Sequence, residues 1–147
     1  MRALHLIVPT VALLGGCTLA NMTPQARFSE SAYMLNDYAR WGQVDHAVVH
    51  VSAKYMQRFT ERRQEWGERV SIADADLVSM KLAPDHESAV SEVKLSWYDE
   101  SGVYVHSSLV TQKWASEKGK YKLVDEAVRR GDASVFTEPP PKAQQGS

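Results

Sequence analysis

The hydrophobic positions of this chain change period once, and that change divides it into a helical part and a strand part. Phe28, Ala32, Leu35 and Ala39 recur at i, i+4, i+7 and i+11, one face of a helix, with Met34, Tyr38 and Trp41 widening the stripe. Thr23-Pro24 supplies an N-cap and a proline at the first helical position, and Gly42 stops the helix. Val44, Ala47, Val48 and Val51 keep helical spacing and predict a short second helix over 43–51. Ser52 is placed to cap a third helix, with Tyr55, Met56, Phe59 and Arg63 on one side and an end near Trp66-Gly67. Its Glu61-Arg62-Arg63-Gln64-Glu65 stretch reads as a solvated face.

After Gly67 the pattern alternates. A long strand over 68–82 places Val70, Ile72, Val78, Met80 and Leu82 at one parity, and Leu77 breaks it. A bulge or bend at Asp74-Ala75-Asp76 accounts for the break. Pro84 to Glu87 forms a turn, and Val93, Leu95 and Trp97 then mark the buried face of a strand over 89–99. Asp99-Glu100-Ser101-Gly102 is a hairpin turn, followed by a strand over 103–114. Ser116 to Gly119 turns again into a last strand over 120–128 through Tyr121, Leu123 and Val124. Helices first and antiparallel strands afterwards mean α+β, with the N-terminal helices laid across one face of a curved sheet.

The segment ahead of the first helix has a different character. Arg2 precedes an apolar run from Ala3 to Leu14, interrupted by His5, Pro9 and Thr10, the order of a secretory signal. A membrane-spanning helix needs about 20 consecutive apolar residues, and this run is shorter. It closes on Leu14-Gly15-Gly16-Cys17, which resembles a bacterial lipobox and contains the single cysteine of the chain. The resemblance implies cleavage between Gly16 and Cys17, with fatty acyl chains such as palmitate attached at Cys17. Thr18, in place of the aspartate that retains such lipoproteins in the inner membrane, implies the outer membrane and its periplasmic face. With one cysteine, no intramolecular disulfide can form, so stability must come from packing.

Residues 1–16 then read as signal peptide, 17–23 as tether, 24–130 as the folded domain, and 131–147 as a disordered tail ending in Pro139-Pro140-Pro141. Removing residues 1–16 takes away Arg2 and no acid, leaving a side-chain charge of about −2. The signs are mixed along the chain, and no basic stripe points to nucleic acid. Asn21-Met22-Thr23 fits a glycosylation acceptor only by pattern.

The helix break Asp37-Tyr38-Ala39-Arg40-Trp41-Gly42-Gln43, the strand Val93-Lys94-Leu95-Ser96-Trp97, and Trp114 with Lys120-Tyr121-Lys122-Leu123-Val124 are similar to the cone-shaped nuclear-transport-factor-like superfamily. The likeness spans about residues 25–126 and departs from the superfamily in lacking a further strand pair between the helices. It implies a cone-like fold whose mouth is lined by aromatics. Tyr38, Trp41, Tyr55, Trp97 and Trp114 are the candidates for pocket or core, and Tyr33 and Trp66 belong to the same set.

Chemistry has few carriers. Asp74 and Asp76 are the candidate proton-transfer carboxylates, since an acid in an apolar cone would have a raised pKa. His46 and His50, four apart, have the spacing of a two-histidine metal site, but Ala47 stands where the zinc-protease pattern has glutamate. Surface histidines are the plainer reading, and His106 reads as an outward residue. No catalytic residue, metal or cofactor is assigned. The sequence therefore reads as a lipid-anchored envelope module whose partners are the membrane and an envelope protein or small hydrophobic ligand. The alternatives are a cone-fold isomerase, dehydratase or hydrolase, and a structural envelope component.

Overall fold

The structure is a computed structural model that describes residues 22–138. The predicted signal peptide, Cys17, most of the predicted tether and the last part of the proline-rich tail lie outside the described residues.

Helix α1 (Pro24–Arg40) begins where Thr23 accepts a hydrogen bond from the Ala26 amide at 3.1 Å, and it buries Phe28, Ala32, Leu35 and Ala39. The second helix is shorter than its pattern predicts. One α-helical turn, α2 (Val44–Ala47), passes into a 3-10 turn (Val48–His50), and Val51 leaves to make a parallel bridge with Leu123. Three valines in so short a segment favour that extended exit. Helix α3 (Met56–Arg62) starts beyond the predicted Ser52 cap: the Ser52 carbonyl accepts from the Tyr55 and Met56 amides, both at 3.0 Å, so a turn over 53–55 leads into the helix.

Four antiparallel strands follow in a meander of order β1-β2-β3-β4: β1 (Ser71–Leu82), β2 (Ser88–Tyr98), β3 (Val105–Glu117) and β4 (Lys120–Gly131). Helices pack on one face of this sheet, and β2 alternates as its sequence predicts, with Ala89, Ser91, Val93, Leu95 and Trp97 buried. In β1 the register slips twice, between Ile72 and Asp74 and between Leu77 and Ser79, so two bulges flank the predicted bend. Each bulge reverses parity. Leu77 consequently packs on the core beside Ile72, Ala75, Met80 and Leu82, and Val78 faces solvent.

Strand β4 slips twice against β3 as well, opposite Lys113/Trp114 and opposite Leu109/Val110. Tyr121 and Leu123 point inward before the first slip, and Glu126 takes the inward place after it. A carboxylate is thereby carried into the core. At the end of β4, Gly131 (φ +89°) lies where an added Cβ would run into the Ser107 carbonyl oxygen, so this corner requires glycine.

The core centres on Trp114, whose ring meets Phe28 edge-on at 5.8 Å, with Leu35, Val110 and Leu123 around it. The polar groups around Trp114 are paired: Asn36 and Gln112 exchange two 3.0 Å hydrogen bonds, Ser91 donates to Gln112, and Trp114 Nε1 donates to Ser91 at 2.9 Å. The folded chain also runs further than residue 130. A 3-10 turn (Ala133–Val135) brings Val135 and Phe136 to 0% and 3% exposure, so the predicted tail boundary at 131 falls too early. Nothing apolar beyond Arg129 had the periodicity to reveal this short strap.

Candidate functional site

Three clusters of polar chemistry stand out, and their surroundings decide what each can do. The first holds α3 to the C-terminal strap. Arg62 and Arg63, read from sequence as solvent-facing, are each 3% exposed. Arg63 forms a two-pronged pair with the Glu126 carboxylate, the Nη2–Oε2 arm being 2.7 Å, and its guanidinium lies 3.8 Å over the Phe59 ring. Trp66 and Phe136 enclose the same cation at 4.9 and 4.8 Å. Arg62 donates to the Tyr55 hydroxyl, the Glu126 backbone carbonyl at 2.7 Å and the Glu138 carboxylate at 2.8 Å. Burial first, then the Glu126 charge, push the Tyr55 phenol up, which keeps it a neutral donor to Glu126. Apart from the two buried Nε atoms of Arg62 and Arg63, which have no partner, the polar groups here bond to one another, which makes a structural lock.

The second cluster lies at the β2–β3 end of the sheet. His106 shares parity with buried Ser108, Val110, Gln112 and Trp114, so it faces the helical side of the sheet, against the outward placement predicted. Its ring stacks 4.4 Å from Trp97, Nδ1 meets Asp132 Oδ2 at 2.8 Å, and Nε2 meets Asp99 Oδ2 at 3.1 Å. Desolvation works against the charged ring, but hydrogen bonds and charge from Asp99 and Asp132 outweigh it and raise the His106 pKa. Both ring nitrogens are thus occupied by carboxylates of this chain. This arrangement is a clasp between the hairpin and the strap.

The third cluster is the one with open space. A groove of about 600 Å³ runs beside α1 toward the β3–β4 turn, with Met34, Tyr38 and Val49 supplying apolar walls. Arg27, Lys118, Lys120 and Lys122 give it a basic rim, with Glu30 as the acid among its lining residues. The turn itself is built from Lys118 (φ 52°) and Gly119 (φ +78°), the double left-handed geometry of a two-residue hairpin. Arg27 threads between chain segments: Nε donates to the Met22 carbonyl at 3.0 Å and Nη1 to the Gly119 carbonyl at 3.1 Å. His50 lies in the groove with its pKa lowered, first by burial and then by Lys122, Glu30 opposing and Lys120 adding.

The residues singled out from sequence are dispersed. Asp74 pairs with Arg40 at 3.1 Å near the surface, and Asp76 is exposed on β1. His46 and His50 are separated by the change from α to 3-10 geometry, each facing the Tyr38 ring. Among the described residues, no three metal-capable side chains gather at one point. Tyr55, Trp97 and Trp114 are core residues, and Tyr38 lines the groove. Trp41 belongs to neither group: at 66% exposure it caps α1, with the Arg40 guanidinium 5.1 Å over its ring. Tyr33 is exposed too. The basic rim escaped the sequence reading because its cations come from α1, the turn and β4. Only the folded chain collects them.

Among the described residues, no helix is long and apolar enough to cross a membrane. The chain matches no protein-family model and no curated protein. Among solved structures it is similar to a SEC-C motif containing protein from Rhodopseudomonas palustris, with TM-score 0.51 and 12% identity over 74% of this chain and 80% of that one. It is also similar to the intermembrane space region of the chloroplast protein ARC6, with TM-score 0.49 and 10% identity over 73% of this chain and 97% of that one. At such identities the first likeness concerns the α+β fold alone.

Proposed function

We propose that this protein is a lipoprotein held by acyl chains on Cys17 at the periplasmic face of the outer membrane, and that its domain is a non-enzymatic binding module of the cell envelope. On this reading residues 1–16 are a cleaved signal, and the domain is a cone-like fold of the nuclear-transport-factor-like type whose interior is closed by its own side chains. The observation that carries the binding role is the contrast between two spaces. Trp114, Phe28 and Leu35 fill the inner sheet face, while an open groove with an apolar floor and a basic rim lies at the end where the chain enters the domain.

What supports binding over catalysis is the state of the polar groups. Asp74 is neutralised by Arg40, His106 is clasped through both nitrogens, and Glu126 is held by Arg63. None of these is aimed at the groove. An apolar pocket with a few charged groups on one side suits an amphipathic ligand or a partner surface.

The test replaces Cys17 by serine, whose oxygen does not substitute for the thiol as acyl acceptor. In cells fed a labelled fatty acid, the unaltered chain should carry label and sediment with outer membranes. Cys17→Ser should be unlabelled and either released or retained with its signal peptide. Label incorporated into Cys17→Ser would refute the anchor.

A further inference from the structure

We propose that the groove between α1 and the β3–β4 turn docks on the membrane surface by taking an anionic phospholipid headgroup, so that the domain lies against the membrane with this end down. The inference rests on the lipoprotein reading for its orientation and on the groove's charge for its chemistry.

The orientation follows from Arg27. By bonding the Met22 and Gly119 carbonyls at 3.0 and 3.1 Å, it fixes the incoming chain against the Lys118–Gly119 turn. From Cys17 to Met22 there are five residue steps, so a fully extended tether reaches at most about 18 Å. The headgroup layer on each side of a bilayer is about 5–8 Å thick, so this leash lets the turn rest on the lipid surface and prevents it from swinging far away.

The chemistry follows from unpaired cations. Among the described residues, eight cations stand outside ion-pair distance of a carboxylate; Lys54, Lys81, Lys94 and Arg130 lie elsewhere, whereas Arg27, Lys118, Lys120 and Lys122 gather around this one groove. Lys122 instead donates to the neutral Val49 carbonyl, which leaves its charge uncompensated. The His50 pKa, lowered first by burial, is lowered further by Lys122 and Lys120, with Glu30 opposing. With a mature side-chain charge of about −2, the molecule as a whole is not drawn to an anionic surface, so attraction needs a local cluster of cations such as this one. Met34, Tyr38 and Val49, just inside the cations, offer an apolar seat for the glycerol end of an acyl chain.

The acylated full chain, reconstituted in phosphatidylcholine vesicles with or without one third phosphatidylglycerol, tests this through amine acetylation rates read by peptide mass spectrometry. Phosphatidylglycerol should slow acetylation of Lys118 and Lys120 by about fivefold, the effect of ~1 kcal/mol per basic residue at an anionic surface, and leave Lys94 on β2 unchanged. High salt should abolish the protection. In nanodiscs of the same lipids, phosphatidylglycerol should raise the His50 pKa, and Lys118→Glu with Lys120→Glu should remove that rise. Equal acetylation rates in both lipids would overturn the inference. So would an equal His50 shift in phosphatidylcholine discs on adding inorganic phosphate, which marks a site for a soluble anion. Intact mass keeps the two readings apart. An acylated chain without protection rejects the docking and keeps the anchor; an unacylated chain that is still protected does the reverse.

Discussion

Replacing Glu126 by alanine strikes the contact that ties α3, β4 and the C-terminal strap together. The Arg63 side chain is 2% exposed and that of Glu126 0%, so both charges have given up water and depend on each other. In Glu126→Ala the guanidinium loses both carboxylate bonds. Its remaining acceptor is the Phe59 carbonyl at 3.5 Å, and Nε has no partner even in the unaltered protein. Removing one member of a buried pair costs about 3–5 kcal/mol. The rings of Phe59, Trp66 and Phe136 still face the cation, which places the expected loss at about 3–4 kcal/mol. At about 4 °C per kcal/mol for a domain of this size, Tm should fall by about 12–16 °C. Urea denaturation followed by tryptophan fluorescence measures the loss, with Trp66, 4.9 Å from the cation, as a local reporter. Arg63→Met combined with Glu126→Leu should recover most of it, because neither charge is then buried alone. A loss below about 1 kcal/mol for Glu126→Ala would refute the buried-pair reasoning, since that is the value of exposed pairs.

Two further outcomes are expected. Trp97→Ala should cost about 3–5 kcal/mol, because the ring is 2% exposed, stacked on His106 and bonded through Nε1 to Ser108; an unchanged denaturation midpoint would contradict its burial. The His106 clasp should make stability depend on pH in both directions. Its raised pKa contributes fully below the unfolded histidine range and is lost as pH rises through the folded value. Asp99 and Asp132, lowered first by their serine partners and further by His106, contribute above the unfolded carboxylate range and are lost as pH falls. Tm profiles of His106→Gln should lose the alkaline decline, and an identical decline in that variant would place its origin elsewhere.

The helices and strands were legible where burial enforces a regular period. Phe28, Ala32, Leu35 and Ala39 announce α1, and Val93, Leu95 and Trp97 announce the inner face of β2, because each is a run without interruption. Parity failed where bulges intervene: the break at Leu77 marks the irregularity in β1, which is two slips that put Leu77 inside and Val78 outside, whereas Glu126 moved inward through slips that no local pattern marks. Arg62 and Arg63 resembled a solvated face because Glu126 and Phe136, which bury them together with nearby Phe59 and Trp66, are more than sixty residues away in sequence. His106 was misplaced because its stabilising partners are the Asp99 turn and the Asp132 strap, which only the meander brings together. The groove has the same origin, since α1, the 3-10 turn and the β3–β4 hairpin each contribute part of it.

The central claim is that the mature chain begins at an acylated Cys17. Trypsin acting on protein from the membrane fraction should release the peptide Cys17–Arg27, which contains no internal lysine or arginine. Its mass should exceed that of the bare peptide by a diacylglyceryl group and an amide-linked fatty acid. Recovery of Ala3–Arg27 with a free thiol, or of any N-terminus other than Cys17, would contradict the account.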